Sequence, residues 1–382
     1  MGIVKQLLVV AVLASLASGC ALYSDVSIAP LTVSPAGIDR GSDLQSMIRK
    51  YDYLRAIELT SSVESRQRKS ISDLMALGEA ELTSGRYDAA RQHLRALAST
   101  DIYHFSGSQS DRVAMQVGRP DVPRIDVRMN DRKNTFAIVD SGAVLSIVSD
   151  KLAKTLPIRS IGKFQGTFFG LLDEPIQVDF GILDSLEIGG IRIENVPVAI
   201  MPSDKMRFLV ATNQSFEMDL LLGANLLKEF RMEFDYRHDS AFFTHLTAAD
   251  RQPDETQNLF IESFRPMVRG TVNRKGWFLF ILDTGSEVTF LNASQLALLP
   301  VQFYAPKMHG ALLQGLGGEK KRGEKLDNIE LGFDKWGGTF KTLPMYDSDS
   351  RAHAVGIIGE NFLKNFRVVV DFGKMRVELI RG

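Results

Sequence analysis

The sequence predicts a mainly β protein of two lobes related by a pseudo-twofold axis, preceded by a small helical hairpin region. Three observations support this fold class. After residue 105 the chain is dominated by short β-type runs and glycines, and the two halves of that part repeat each other. Before it, apolar residues recur at helical spacing from residue 43. With 382 residues, 45% of them apolar, the chain is long enough for two or three domains.

Residues 1–19 are predicted to be a cleaved signal peptide. A basic residue precedes the apolar run LLVVAVLASLA, which is shorter than a typical membrane span. The only cysteine, Cys20, follows Ala17-Ser18-Gly19, and this arrangement resembles the signal of bacterial lipoproteins. The resemblance implies a lipid on Cys20 and, since Ala21 follows, anchoring in the periplasm at the inner leaflet of the outer membrane. The alternative is an ordinary secretory signal in which the cysteine is incidental.

The segment between the signal and the repeat is predicted to have two parts. Residues 20–42 are rich in Ser, Pro and Gly, so we expect a flexible tether. From 43 to 105 the pattern is helical, and YDYLRA at 51–56 echoes YDAARQ at 87–92. This region resembles a tetratricopeptide hairpin, a unit that rarely stands alone, so it is a candidate contact for a protein partner. An unrelated helical spacer is the alternative.

The remainder is an internal repeat of two lobes, lobe 1 (106–250) and lobe 2 (258–382), around the polar stretch AADRQPDETQ. VPRIDVRMNDRKNTFAIVDSG predicts a strand, a polar hairpin and an apolar strand, and RPMVRGTVNRKGWFLFILDTG repeats that order. Further along, LLLGANLLKEFRMEFDY parallels GIIGENFLKNFRVVVDF. Each lobe therefore has an acid at the end of a core strand. A pseudo-twofold axis between the lobes would bring the two acids together.

These motifs resemble those of aspartic proteases of the pepsin and retropepsin type over residues 120–380. The matching positions are Asp140-Ser141-Gly142 and Asp283-Thr284-Gly285, each followed later by an apolar-apolar-glycine motif. The resemblance implies two closed β-barrel lobes of retropepsin size with Asp140 and Asp283 as the catalytic pair. It also implies that four residues of the second motif pack beneath the catalytic loops: Leu222, Gly223, Ile358 and Gly359.

The chemistry of this class requires two carboxyls that share one proton and activate one water. The ionised carboxyl takes a proton from the water, and the protonated one stabilises charge on the substrate carbonyl oxygen. By resemblance, the hydroxyls of Ser141 and Thr284 lock the two loops together. Gly142 and Gly285 let the backbone approach the carboxylates and donate N–H groups to them.

The residue after each Asp-Ser/Thr-Gly motif differs between the lobes. Ser286 is expected to donate a hydrogen bond to Asp283, whereas Ala143 cannot do the same for Asp140. We therefore predict that Asp283 is the resting anion and that Asp140 carries the proton. Having few donors should also raise the working pH of the pair.

Two hairpins are candidates for flaps over the cleft, FQGTFFGLLDE at 164–174 and LLQGLGGEKKRG at 312–323. Neither has the tip tyrosine that is typical of pepsin-like flaps. The alternative is that both are ordinary hairpins. The predicted flap or substrate-binding residues are Phe168, Phe169, Gly170, Gly317 and Gly318.

Other chemistries are not supported. The net charge is −1 and the basic residues are scattered, so no nucleic-acid partner is expected. The six histidines form no metal motif, and no serine-nucleophile, P-loop or dinucleotide fingerprint is present. The sequence predicts an exported, lipid-anchored aspartic endopeptidase acting on extended polypeptides, with no metal or organic cofactor. The alternative is a non-catalytic module that uses the protease fold to bind peptides or envelope proteins.

Overall fold

A computed structural model of the chain describes residues 9–10, 26–31, 103–118, 121–169, 175–211, 214–252, 257–262, 265–297, 307–314, 320–346 and 354–381. Cys20, most of the predicted signal peptide and the predicted helical region up to residue 102 lie outside these residues. Among the helices of the described ranges, none is both long and apolar enough to cross a membrane.

Most regular structure in the described ranges is β. The first strands and those of lobe 1 are β1 (Val9–Val10), β2 (Val26–Pro30), β3 (His104–Gly107), β4 (Ser110–Gln116), β5 (Arg124–Met129), β6 (Lys133–Val139), β7 (Ser146–Ser149), β8 (Arg159–Phe169), β9 (Pro175–Ile188), β10 (Ile191–Met201), β11 (Arg207–Ala211), β12 (Gln214–Glu217), β13 (Leu220–Leu222), β14 (Phe230–Asp235) and β15 (Ser240–His245). Those of lobe 2 are β16 (Leu259–Glu262), β17 (Arg265–Val272), β18 (Lys275–Leu282), β19 (Phe290–Asn292), β20 (Lys307–Gln314), β21 (Lys320–Phe333), β22 (Trp336–Tyr346), β23 (Gly356–Ile358), β24 (Arg367–Asp371) and β25 (Arg376–Ile380). The short helices are α1 (Asp150–Ala153), α2 (Ala224–Leu227), α3 (Ala293–Ala297) and α4 (Glu360–Leu363), with 3-10 turns at Ser203–Met206 and Ala248–Asp250.

Lobe 1 is a sheet closed on itself. Its strands pair in the order β8-β9-β10-β7-β13-β6-β5, and β9 also pairs with β5. The β6–β13 and β7–β10 pairs are parallel. In β5, the buried residues Ile125, Val127 and Met129 alternate with more exposed ones. This alternation is typical of a strand with one face on a core.

Lobe 2 repeats this plan. Its strands pair in the order β20-β21-β22-β19-β23-β18-β17-β16, and β17 closes the sheet by pairing with β21. The β18–β23 and β19–β22 pairs are parallel, as their counterparts are in lobe 1. Even the hairpin turns match, because Asn130 and Asn273 have φ angles of 47° and 49°. Asparagine tolerates this left-handed conformation in tight turns. The predicted fold class, mainly β with two barrel-like lobes that repeat one plan, is confirmed for the described chain.

The two lobes share a sheet. Strand β14 of lobe 1 pairs antiparallel with β24 of lobe 2, which continues the order β4-β15-β14-β24-β25 across the boundary. In this register Arg231 lies opposite Asp371, and Asp235 lies opposite Arg367. These are equivalent positions of the repeat. Each lobe therefore offers the same residues to the other, as a twofold contact requires.

Strand β2 belongs to lobe 2, although it precedes lobe 1 in the chain. It pairs antiparallel with β22, and the side chains of Val26 and Ile28 pack against the core. The prediction of a flexible tether over 20–42 is therefore wrong for residues 26–30. The reason is that alternating apolar residues in a short segment can pair with a strand edge that only the folded lobe provides.

The last two residues of the predicted helical region, 104 and 105, are not helical. His104 and Phe105 are part of β3, which pairs with β10. The Phe105 ring stacks on His245 at a centroid distance of 3.6 Å. The prediction of helix is therefore wrong for residues 104–105, because packing on lobe 1 determines their conformation.

Candidate active site

Asp140 and Asp283 end the central strands β6 and β18, and both are 0% exposed. The Asp140 N–H donates to the Leu222 carbonyl at 3.0 Å, and the Asp283 N–H donates to the Ile358 carbonyl at 3.0 Å. The backbone of each acid is thus fixed by the parallel pairing of its strand with β13 or β23. An isolated buried carboxylate is costly, so these two acids need compensating partners.

The hydroxyls that follow the acids cross between the lobes. Ser141 Oγ donates to the Leu282 carbonyl at 2.7 Å, and Thr284 Oγ1 donates to the Val139 carbonyl at 2.6 Å. In return, each hydroxyl accepts the backbone N–H of the other residue at 3.1 Å. All these groups are buried, so each bond also prevents the cost of an unsatisfied polar group. The geometry agrees with the predicted locking role of Ser141 and Thr284.

The glycines of the two loops bring the carboxylates face to face. A Cβ atom built on Gly142 would lie 2.4 Å from Asp283 Cγ, and one built on Gly285 would lie 2.2 Å from Asp140 Cγ. Each glycine therefore makes room for the carboxylate of the opposite lobe. Gly285 N–H also donates to Asp283 Oδ1 at 2.9 Å. A peptide N–H that points at a carboxylate favours its charged form.

The two carboxyls are electrostatically coupled. Burial raises the pKa of Asp140 to about 7, and it raises the pKa of Asp283 well above its usual range, with the Asp140 charge as the next cause. The Oδ2 atoms of both acids are buried and receive no hydrogen bond from any other group of the described chain. A single proton shared between the two carboxyls satisfies both oxygens.

The hydrogen bonds to the two acids favour the shared proton on Asp283 rather than on Asp140. Ala143 N–H donates to Asp140 Oδ1 at 2.9 Å, and the Gly142 N–H adds a second bond that lowers the pKa of Asp140. Ser286, by contrast, donates its hydroxyl to the Val288 carbonyl at 2.9 Å. The prediction that Ser286 donates to Asp283 is therefore wrong, and the predicted proton on Asp140 loses the hydrogen bond on which it rested. Two backbone donors favour the anion on Asp140.

The apolar-apolar-glycine motifs lie directly beneath the loops. Leu222 and Ile358 are the fully buried carbonyl partners of the two acids. A Cβ on Gly223 would lie 2.4 Å from the Leu145 carbonyl oxygen, and one on Gly359 would lie 2.6 Å from the Ser286 carbonyl oxygen. Only glycine permits the backbone to approach this closely. The supporting position that the sequence predicts for these residues agrees with the structure.

Two asparagines complete the support and were missed in the sequence. Asn225 Oδ1 accepts the Ser146 N–H at 2.7 Å, and Asn361 Oδ1 accepts the Thr289 N–H at 2.8 Å. Each asparagine therefore connects the segment that follows the motif glycine to the C-terminal end of the loop that carries the acid. The signal was available, because both copies of the repeat carry asparagine two residues after the motif glycine.

The predicted flaps are described only in their arms. Phe168 and Phe169 lie in β8, opposite Ile176 and Pro175 of β9, whereas Gly170, Gly317 and Gly318 lie outside the described residues. Below the first hairpin, a buried apolar cluster joins Val178 of β9 to Ala143 of the catalytic loop. The base of that hairpin thus packs beside the Asp140 loop. The flap role itself stays a prediction.

Comparisons with known families agree with this geometry. A model described as aspartyl protease matches residues 125–226, which include Asp140. A model described as retroviral aspartyl protease matches residues 262–371, which include Asp283. Each lobe is therefore similar to an aspartyl protease family model that includes its buried acid.

Solved structures of low sequence identity also match. The aspartic proteinase from Irpex lacteus is 12% identical and aligns over 71% of this chain and 97% of its own, with a TM-score of 0.41. A retropepsin-like aspartic protease from Rickettsia conorii is 17% identical over 37% of this chain and 95% of its own, with a TM-score of 0.24. Basic 7S globulin from soybean is 13% identical over 71% of this chain and 95% of its own, with a TM-score of 0.41. No curated protein sequence matches.

Proposed function

We propose that this protein is an aspartic endopeptidase that hydrolyses peptide bonds of extended polypeptides by a water activated between Asp140 and Asp283. The observation that carries the proposal is the placement of two buried carboxyls, one from each lobe, against each other across Gly142 and Gly285. Each is held by its own strand and loop, so the pair is preorganised before substrate binds.

The proton positions assign a role to each acid. Asp140, the anion, takes a proton from the water, and the resulting nucleophile attacks the peptide carbonyl carbon. Asp283 donates its hydrogen bond to the carbonyl oxygen, which gains negative charge as the tetrahedral intermediate forms. The proton taken by Asp140 then passes to the leaving nitrogen as the C–N bond breaks.

The substrate would bind as an extended strand between the lobes and beneath the hairpins β8–β9 and β20–β21. Backbone hydrogen bonds to such a strand give affinity, and pockets for alternate side chains give preference. The apolar cluster beside the Asp140 loop, which includes Val144 and Ile176, favours apolar side chains near the cleaved bond.

The proposed location is the cell envelope, with the protein anchored by a lipid on Cys20 in the periplasm at the inner leaflet of the outer membrane. The support is the signal-like run before Cys20. The region 43–105 remains a proposed contact for a protein partner. Expression of the full chain and of a Cys20→Ala variant, followed by membrane fractionation, tests the anchor. Release of the variant alone into the soluble fraction is the expected result.

The test of activity compares the mature chain with Asp140→Asn and Asp283→Asn variants on an unstructured protein from about pH 4 to about pH 8. Cleavage by the parent and a loss of at least about 10³-fold in each variant are expected, since each carboxyl has a separate role. Equal unfolding temperatures serve as the control for folding. A folded parent without cleavage at any pH would favour the alternative, a scaffold that binds peptides or envelope proteins.

A further inference from the structure

A third carboxyl lies behind the catalytic loop of lobe 2. Glu360 is 0% exposed and is the first residue of α4, directly after the motif glycine Gly359. Its N–H donates to the Ser286 carbonyl at 2.8 Å, which attaches it to the loop that carries Asp283. The equivalent residue of lobe 1 is Ala224, so the third carboxyl is present on one side of the pair only.

Glu360 is held by the opposite lobe. The Tyr236 hydroxyl, which follows β14 of lobe 1, donates to Glu360 Oε1 at 2.8 Å. Glu360 Oε2 is buried and has no hydrogen-bond partner in the described part of the chain. A buried acid with one donor and no direct cation resists ionisation, and burial does raise the pKa of Glu360 well above its usual range.

The other charges near Glu360 largely balance one another. On its own helix, Lys364 Nζ pairs with Asp121 Oδ2 of lobe 1 at 2.6 Å. The Asp121 N–H also donates to Glu287 Oε1 at 2.5 Å. The Asp121 charge raises the pKa of Glu360 and the Lys364 charge lowers it, both less than burial does. The remaining neighbour is Asp283, whose pKa is raised by the Glu360 charge.

Asp283 and Glu360 differ in the charges that face them. Asp283 faces the Asp140 anion, and that charge raises its pKa. Glu360 instead has the Tyr236 donor and lies within reach of the Lys364 charge. These contacts favour proton loss in the order Asp140, Glu360, Asp283 as the pH rises.

We propose that Glu360 is a positioning residue of the catalytic pair: its buried carboxyl ionises before Asp283 does and, as an anion behind the loop, keeps the last proton on Asp283. The proposal rests on the proposed function and deepens it. With Asp283 still protonated, the pair can catalyse hydrolysis at a pH at which both carboxyls of a pair without Glu360 would be ionised. Glu360 thereby extends the working range towards neutral and alkaline pH.

The kinetic test is the pH profile of kcat/KM for the mature chain and for Glu360→Gln. The amide keeps the size of the side chain and accepts the Tyr236 hydrogen bond, but it cannot ionise. The alkaline limb is expected to move to lower pH by about one unit, with the acid limb unchanged. Tyr236→Phe should move the same limb in the same direction, because loss of the donor keeps Glu360 neutral. Asp126→Asn, at an exposed position of β5, should move neither limb.

An alkaline limb that stays in place in Glu360→Gln would overturn the proposal, and so would a uniform loss of activity at every pH, which a purely structural role predicts. Infrared titration of the protonated-carboxyl band needs no activity. The band that disappears first above the Asp140 transition should be absent from Glu360→Gln and retained in Asp283→Asn. The reverse result, in which this band is retained in Glu360→Gln and absent from Asp283→Asn, contradicts the proposal. If the bands behave as expected but the protein cleaves nothing, only the proposed function fails.

Discussion

Replacing Gly142 by alanine would place a methyl group against the carboxyl of the opposite lobe. The new Cβ would lie 2.4 Å from both Cγ and Oδ2 of Asp283, whereas ordinary contact begins at 3.4 Å. Asp283 must therefore move by about 1 Å, or the loops must separate by the same amount. The φ angle of Gly142 is not in the left-handed region, so the backbone itself accepts alanine without strain.

The displacement acts on the carboxyl that should hold the shared proton. A misplacement of about 1 Å costs on the order of 10²-fold in rate, so kcat/KM of Gly142→Ala should fall by about that factor. The pKa of Asp140 should rise further above its usual range, because the hydrogen bond from Asp283 that lowers it is lost. The assay is cleavage of an unstructured protein substrate across pH, together with thermal unfolding of both proteins.

A matched control is Gly337→Ala in β22. There the nearest atom to a new Cβ is a flexible side-chain oxygen of Glu330 at 3.2 Å, so little must move. Activity of this variant should stay within about twofold of the parent. Full activity in Gly142→Ala, with the Asp140 transition unchanged, would refute the face-to-face arrangement of the carboxyls.

Three further outcomes are expected. Thr284→Val leaves the Val139 carbonyl and the Ser141 N–H buried without partners, so urea unfolding should show a loss of roughly 2–4 kcal/mol that Thr284→Ser largely avoids. The folded pair binds more protons than the unfolded chain between about pH 4 and the Asp140 pKa of about 7, so stability should fall as pH rises through this window, by roughly 4 kcal/mol from Asp140 alone. A double Asp140→Asn, Asp283→Asn variant should lose the contribution of the pair and keep that of Glu360, whose pKa is also raised; an unchanged slope would contradict this assignment. Ile28→Asp should detach β2 and leave the β22 edge open, which light scattering would detect as concentration-dependent association.

The duplication made most of the fold and the pair of facing acids predictable from the sequence. A single acid after a buried strand is compatible with many folds. The same order of strand, hairpin, acid and later glycine in both halves restricts the possible folds. The hydroxyl lock was predicted from the resemblance to aspartic proteases, which assigns it to Ser141 and Thr284 at equivalent places of the repeat. The features that could be predicted are thus the ones that occur twice.

The features that could not be predicted are those that occur in one lobe only. The path of the Ser286 hydroxyl depends on the turn geometry, which directs it to Val288 rather than to the neighbouring acid. In the sequence, Glu360 is not distinguishable from an ordinary acidic residue at the start of a helix. Only the folded molecule places Tyr236 of the other lobe against it. Strand β2 was missed because its partner is more than 300 residues away.

That long separation makes β2 one of the first segments synthesised and one of the last to reach its place. Val26 cannot pair until Phe340 has been made, and pairing closes a very long loop, which is entropically unfavourable and slow. Until then β22 exposes an unpaired edge to neighbouring chains. Newly synthesised molecules should therefore pass through a stage in which β22 has folded but its edge is still open to misassociation, and a chaperone that covers β22 would act at this stage.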